Sequence, residues 1–127
     1  MNADTAPDLV PTDLVDVQER LLEKARSARA GRAAETVYAG PRMRQTALAL
    51  LADAALAEHD SPPEATLHVL VGRVRMNGSG RAWELGAGEL TPIPPERHSV
   101  SALEDSAFLL TVLRADPPPA PTAAPVG

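Results

Sequence analysis

All three histidines of this 127-residue chain fall between positions 59 and 98, in two segments built of short apolar runs. The first reads His59-Asp-Ser-Pro-Pro-Glu64-Ala-Thr-Leu-His68-Val-Leu-Val-Gly72; the second reads Gly88-Glu-Leu-Thr-Pro-Ile-Pro94-Pro95-Glu-Arg-His98. Imidazoles and a carboxylate on neighbouring strands are the raw material of a divalent-metal site or of a polar ligand pocket. Two histidines and one carboxylate are the smallest set that holds such a metal and leaves coordination positions open. Little else in the chain is chemical. There is no nucleophile elbow, phosphate loop or EF-hand pattern. The absence of cysteine excludes disulfides and thiolate zinc sites.

The elements that must position these residues can be read from periodicity. Leu14, Val17, Leu21, Ala25 and Ala28 recur at spacings of three and four, so residues 13–30 read as one helix with an apolar stripe. Thr12 or Asp13 can cap its start and Gly31 can end it. After Gly31 the period changes to two. Residues 35–39, 44–52, 54–59, 66–77, 81–85, 90–94, 98–103 and 107–114 read as about eight short strands, with turn signals every 8–12 residues. Asn77-Gly78-Ser79-Gly80 reads as a hairpin turn, in which Asn-Gly favours the positive φ values of type I′. The pattern is that of an all-β sandwich or barrel.

The strongest strand, 66–77, alternates Arg73 and Arg75 with Val74 and Met76, so its even positions are expected to face inward. Carried back along an unbroken strand, that parity turns Leu70, His68, Thr66 and Glu64 toward the interior. Around His98 the same alternation groups the histidine with Val100 and Ala102. His59 ends the preceding strand, near Glu64 across a Pro-Pro turn.

These residues carry a resemblance to the small single-domain cupins, which are double-stranded β-helix (jelly-roll) proteins. The first cupin motif runs Gly-x5-His-x-His-x(3,4)-Glu-x6-Gly. His59 followed by Glu64 resembles its second His and its Glu, and Val69-Leu70-Val71-Gly72 resembles its closing segment with one extra residue. The second motif runs Gly-x5-Pro-x-Gly-x2-His-x3-Asn. Gly88 and Pro94 match it, and His98 takes the histidine place. The likeness covers roughly residues 35–114. Ala57 stands where the first motif has its first His, Glu96 where the second has a glycine, and Ala102 where it has Asn. The resemblance therefore implies an all-β jelly-roll barrel with one N-terminal helix. It reduces the family's metal site to His59, Glu64 and His98, with Thr66, His68 and Leu70 lining the pocket. The metal would be Fe, Mn, Ni or Zn, and the partner a second copy of the chain in a homodimer.

The expected organisation is a flexible segment over residues 1–12, the helix at 13–31, the barrel at 33–115, and a disordered tail at 116–127 with five prolines. The net charge of −5 and the absence of a basic run argue against a nucleic-acid partner. Tyr38, Trp83 and Phe108 are the only aromatic residues, too few for a base-stacking platform. Nothing resembles a secretory signal or a membrane span, so the expected location is the cytoplasm. Two functions stay open: a metal-dependent enzyme acting on a small molecule, and a metal-free small-molecule binding or sensory module.

Overall fold

The structure is a computed structural model that describes residues 9–59 and 63–114, apart from the side chains of Glu58 and His59. The expected flexible segment is described only from residue 9, and the expected Pro-rich tail lies outside the described residues. One helix is followed by nine strands: α1 (Leu14–Ser27), β1 (Arg32–Ala39), β2 (Met43–Leu50), β3 (Ala55–His59), β4 (Glu64–Val71), β5 (Arg73–Gly78), β6 (Arg81–Gly86), β7 (Leu90–Pro92), β8 (His98–Ala102) and β9 (Ser106–Leu113). The strands form two antiparallel sheets, ordered β1-β2-β9-β4-β7 and β3-β8-β5-β6.

Helix α1 starts where Asp13 Oδ1 accepts the backbone N–H groups of Val15 (2.9 Å) and Asp16 (3.2 Å), two of the donors a helix start leaves without partners. Its stripe of Val17, Leu21 and Ala25 is buried against Ala47 and Ala49 of β2, with Ala33 and Val37 of β1 and Leu109 of β9 around it. Full burial of Leu21 alone stabilises this contact by about 1.5–3 kcal/mol. The helix is shorter than its periodic stripe because Ala28 has already turned extended (φ −91°, ψ 138°). Gly31, at φ 69°, then turns the chain into β1. The Arg20–Glu35 ion pair (2.8 Å) links helix to strand, but it is exposed enough to add little.

The second core fills the space between the sheets. Leu50, Leu67, Val69, Val74, Met76 and Phe108 are fully buried there. Trp83 is half-buried against this core, and Arg73 and Arg75 lie on the opposite, exposed face of β5, both paired with Glu84.

The expected strand 66–77 is two strands in different sheets. Gly72, at φ 89°, breaks it, and the chain crosses from one sheet to the other. A side chain at 72 would collide with Ser106 Oγ and Asp105 O and come within 2.7 Å of Ser106 Cα. Ser106, fully buried, fixes the crossing: its Oγ accepts from Arg73 N (2.9 Å), and its single O–H has the Glu104 carbonyl at 2.7 Å and the Arg73 carbonyl at 3.1 Å as acceptors. A pairing irregularity between Val69 and Val71 adds to the break. Together they invert the side-chain parity of β4 relative to β5, so Ala65, Leu67 and Val69 face the core. The hairpin turn is also shifted by one position. Ser79 (φ 48°) and Gly80 (φ 75°) are its positive-φ residues, while Gly78 is the last strand residue, paired with Arg81.

Candidate functional site at the barrel mouth

At one end of the barrel, Arg81, Gly78, His98 and His59 occupy one cross-strand row through β6, β5, β8 and β3. His98 shares the inward face of β8 with Val100 and Ala102 and is 3% exposed. Across the lumen, Ala65, Ile93 and Val112 belong to the apolar core and make the opposite wall. The backbone of His59 pairs with that of His98 after an irregularity in β3. Two residues, Ala57 and Glu58, stand there against the single Ser99 between Leu56 and His59.

The β7–β8 loop closes over this row. Pro94 and Pro95 force an extended entry, and Glu96 N donates back to Pro94 O (2.8 Å) in a tight turn. His98 Nδ1 lies 3.1 Å from Glu96 O. A carbonyl only accepts, so Nδ1 is the donor in this hydrogen bond. The Glu96 carboxylate turns inward over Gly78. A Cβ at Gly78 would lie 3.4 Å from Glu96 Oε2 and from His98 Cβ, and 3.3 Å from Arg97 O. Gly78 therefore keeps open the space that the carboxylate and the imidazole share. Glu96 Oε2 is buried without a hydrogen-bond partner among the described residues. Beside the mouth, between β6 and β7, lies a groove of about 530 Å³ lined by Arg81, Ala82, Trp83, Thr91, Pro92 and Pro94.

No protein-family model and no curated protein sequence matches the chain. Solved structures do. A cupin superfamily protein from Desulfitobacterium hafniense DCB-2 superposes with a TM-score of 0.69 at 14% identity, over 85% of this chain and 94% of that one. A conserved protein of unknown function from Streptococcus pyogenes gives a TM-score of 0.67 at 16% identity, over 87% and 92%. KdgF from Halomonas sp. gives 0.60 at 18% identity, over 67% and 82%.

The fold is that of a cupin.

Placed in this cupin barrel, the residues singled out in the sequence divide. His98 lies in the mouth, and the His59 backbone stands opposite it. Glu64 does not join them. It precedes the inward Ala65 on β4, is exposed, and lines outer depressions with Met43, Arg42, Leu113 and Arg114. Thr66, His68 and Leu70 follow the same outward parity and are half-buried on the face opposite the lumen. His68 stands beside Leu109 and Leu90 in register, and Thr66 beside Thr111 and Pro92. The expectation that these three line the pocket is corrected by the break at Gly72. Among the described residues no three His, Asp or Glu side chains are grouped to hold a metal ion; of the expected ligands, the His59 side chain lies outside the described residues and Glu64 stands on the outward face of β4. Ala57, in the place of the first motif histidine, brings no ligand either. The carboxylate that does reach the mouth is Glu96. Its sequence signal was its place in the loop two residues before His98, where the motif has a glycine. Among the described residues no helix is long and apolar enough to cross a membrane.

Proposed function

We propose that this cupin binds a small molecule at the barrel mouth through the Glu96 carboxylate and the His98 imidazole. The buried, unpartnered Oε2 of Glu96 carries the reading. An acceptor withdrawn from water without a donor costs about 1–3 kcal/mol, and more when charged. A ligand hydroxyl or N–H placed over Gly78 offsets that cost, and the His98 imidazole borders the same space. The apolar wall of Ala65, Ile93 and Val112 gives the ligand a non-polar surface opposite these two groups.

The same oxygen favours a second reading, a divalent cation held by Glu96 and His98, since carboxylate and imidazole suit first-row transition metals. That donor pair fits a metal in chemical type. The set containing Glu64 does not fit, because Glu64 faces away from the mouth. Bound there, a metal would supply Lewis-acid or redox chemistry.

The deciding experiment is elemental analysis of untagged, chelator-free protein and of His98→Ala, run beside a ligand screen by thermal shift on wild type and Glu96→Gln. Background metal in both proteins, with a stabilising compound whose effect is lost in Glu96→Gln, supports the metal-free binding protein. Near one transition metal per chain, lost in His98→Ala, replaces it with the metal reading.

A further inference from the structure

The groove between β6 and β7 has its own chemistry, independent of Glu96 and His98. Trp83 is the only indole in the chain, and the Arg81 guanidinium carbon sits 5.3 Å from its ring centroid. Arg81 and Trp83 share one face of β6, two residues apart. Arg81 has no carboxylate partner among the described residues, whereas Arg20, Arg26, Arg73 and Arg75 all do. A guanidinium lying over an indole face is held by the ring while its N–H edge stays free for an anion in its own plane. The remaining lining is flat and apolar, from the rings of Pro92 and Pro94 and the methyl of Ala82. The one hydroxyl there, on Thr91, donates to the Pro92 carbonyl (3.0 Å). The volume of about 530 Å³ lies within the range of small-molecule pockets.

We propose that this groove binds a small organic anion, its carboxylate on the Arg81 guanidinium and its flat apolar body against Trp83, Pro92 and Pro94. The chain as a whole carries a net charge of −5, so its long-range field opposes an anion. The attraction is therefore local to Arg81 and weakens with salt.

Trp83 is its own reporter. The test titrates the full chain with benzoate, following Trp83 emission and, independently, the line width of the benzoate proton resonances. Benzyl alcohol serves as the neutral isostere and Arg81→Gln as the variant. The expected result is a saturable response to benzoate in both readouts and none to benzyl alcohol at equal concentration. In Arg81→Gln, whose exposed side chain leaves the fold intact by circular dichroism, affinity falls about tenfold or more. An equal response to benzyl alcohol, an unchanged titration in Arg81→Gln, or no saturation in either readout overturns the proposal. Because the groove lining includes neither Glu96 nor His98, failure here leaves the mouth reading standing, and failure there leaves this one.

Discussion

Replacing Gly72 by alanine is expected to be among the most damaging single-methyl additions in this chain, and the structure gives the size of the effect. The residue sits at φ 89°, where a Cβ meets its own backbone. That conformational term is about 1–2 kcal/mol. The methyl would also come within 2.7 Å of Ser106 Cα and press on Ser106 Oγ and the Asp105 carbonyl. Two of these three neighbours are backbone in the β8–β9 turn, so relief requires the turn to move, at about 1–3 kcal/mol. The sum is about 2–5 kcal/mol, a large share of the roughly 5–15 kcal/mol that holds an ordinary domain. The assay is urea unfolding followed by the emission of the single tryptophan. With a slope of about 1–3 kcal/mol per molar, the midpoint should fall by about 1 M or more. Removing Ser106 Oγ relieves one of the three contacts, so adding Gly72→Ala to Ser106→Ala should cost less than adding it to wild type. A midpoint within about 0.2 M of wild type would refute the account of the sheet crossing.

Other substitutions test other parts of the scaffold. Ser106→Ala takes the hydroxyl from Arg73 N while Arg73 O keeps its bond from Leu103 N (2.9 Å), so the loss centres on one buried N–H. A loss of about 1–3 kcal/mol in the same urea assay is expected. Asp13→Ala removes the acceptor for two helix-start donors and should cost about 0.5–2 kcal/mol, while Asp13→Asn should recover most of it. Leu21→Ala empties the centre of the helix–sheet contact and should cost about 2–5 kcal/mol by calorimetry. Glu84→Gln, on an exposed face with Arg73 and Arg75, should change stability by less than about 1 kcal/mol and lose that small effect in high salt.

The legible parts of the fold were those where one period runs uninterrupted. Val17, Leu21 and Ala25 announce the helix face, and Val74 and Met76 the inward face of β5, and in both places the structure agrees. The parity of β4 was not legible because a single glycine and one irregular pairing reverse it, and nothing in the alternation of 66–77 marks where the ladder changes sheet. Thr66, His68 and Leu70 were misplaced for that reason, and Glu64 with them. His98 could be placed because Val100 and Ala102 carry its parity in a short strand without a break. Glu96 was missed because its role comes from a turn, where side-chain direction follows from the Glu96–Pro94 hydrogen bond and not from a period. The turn at Ser79-Gly80 slipped by one residue for a related cause: Gly78 looks like a turn glycine, but its small size serves the close approach of the β7–β8 loop.

The order of strands has a consequence for how the chain is made. β9 lies between β2 and β4, and β8 between β3 and β5, so the last two strands to be synthesised occupy interior places in both sheets. Until residues 98–113 leave the ribosome, β2, β3, β4 and β5 each lack a neighbour, and the apolar residues meant for the interior have nothing to close over. The α1–β1–β2 unit, the β5–β6 hairpin and the β4–β7 pair have their partners earlier. Such late, long-range closure is slow and leaves open strand edges exposed to other chains. A nascent chain stalled before β8 should therefore be a client for chaperones, while one released a few residues after β9 should fold on its own.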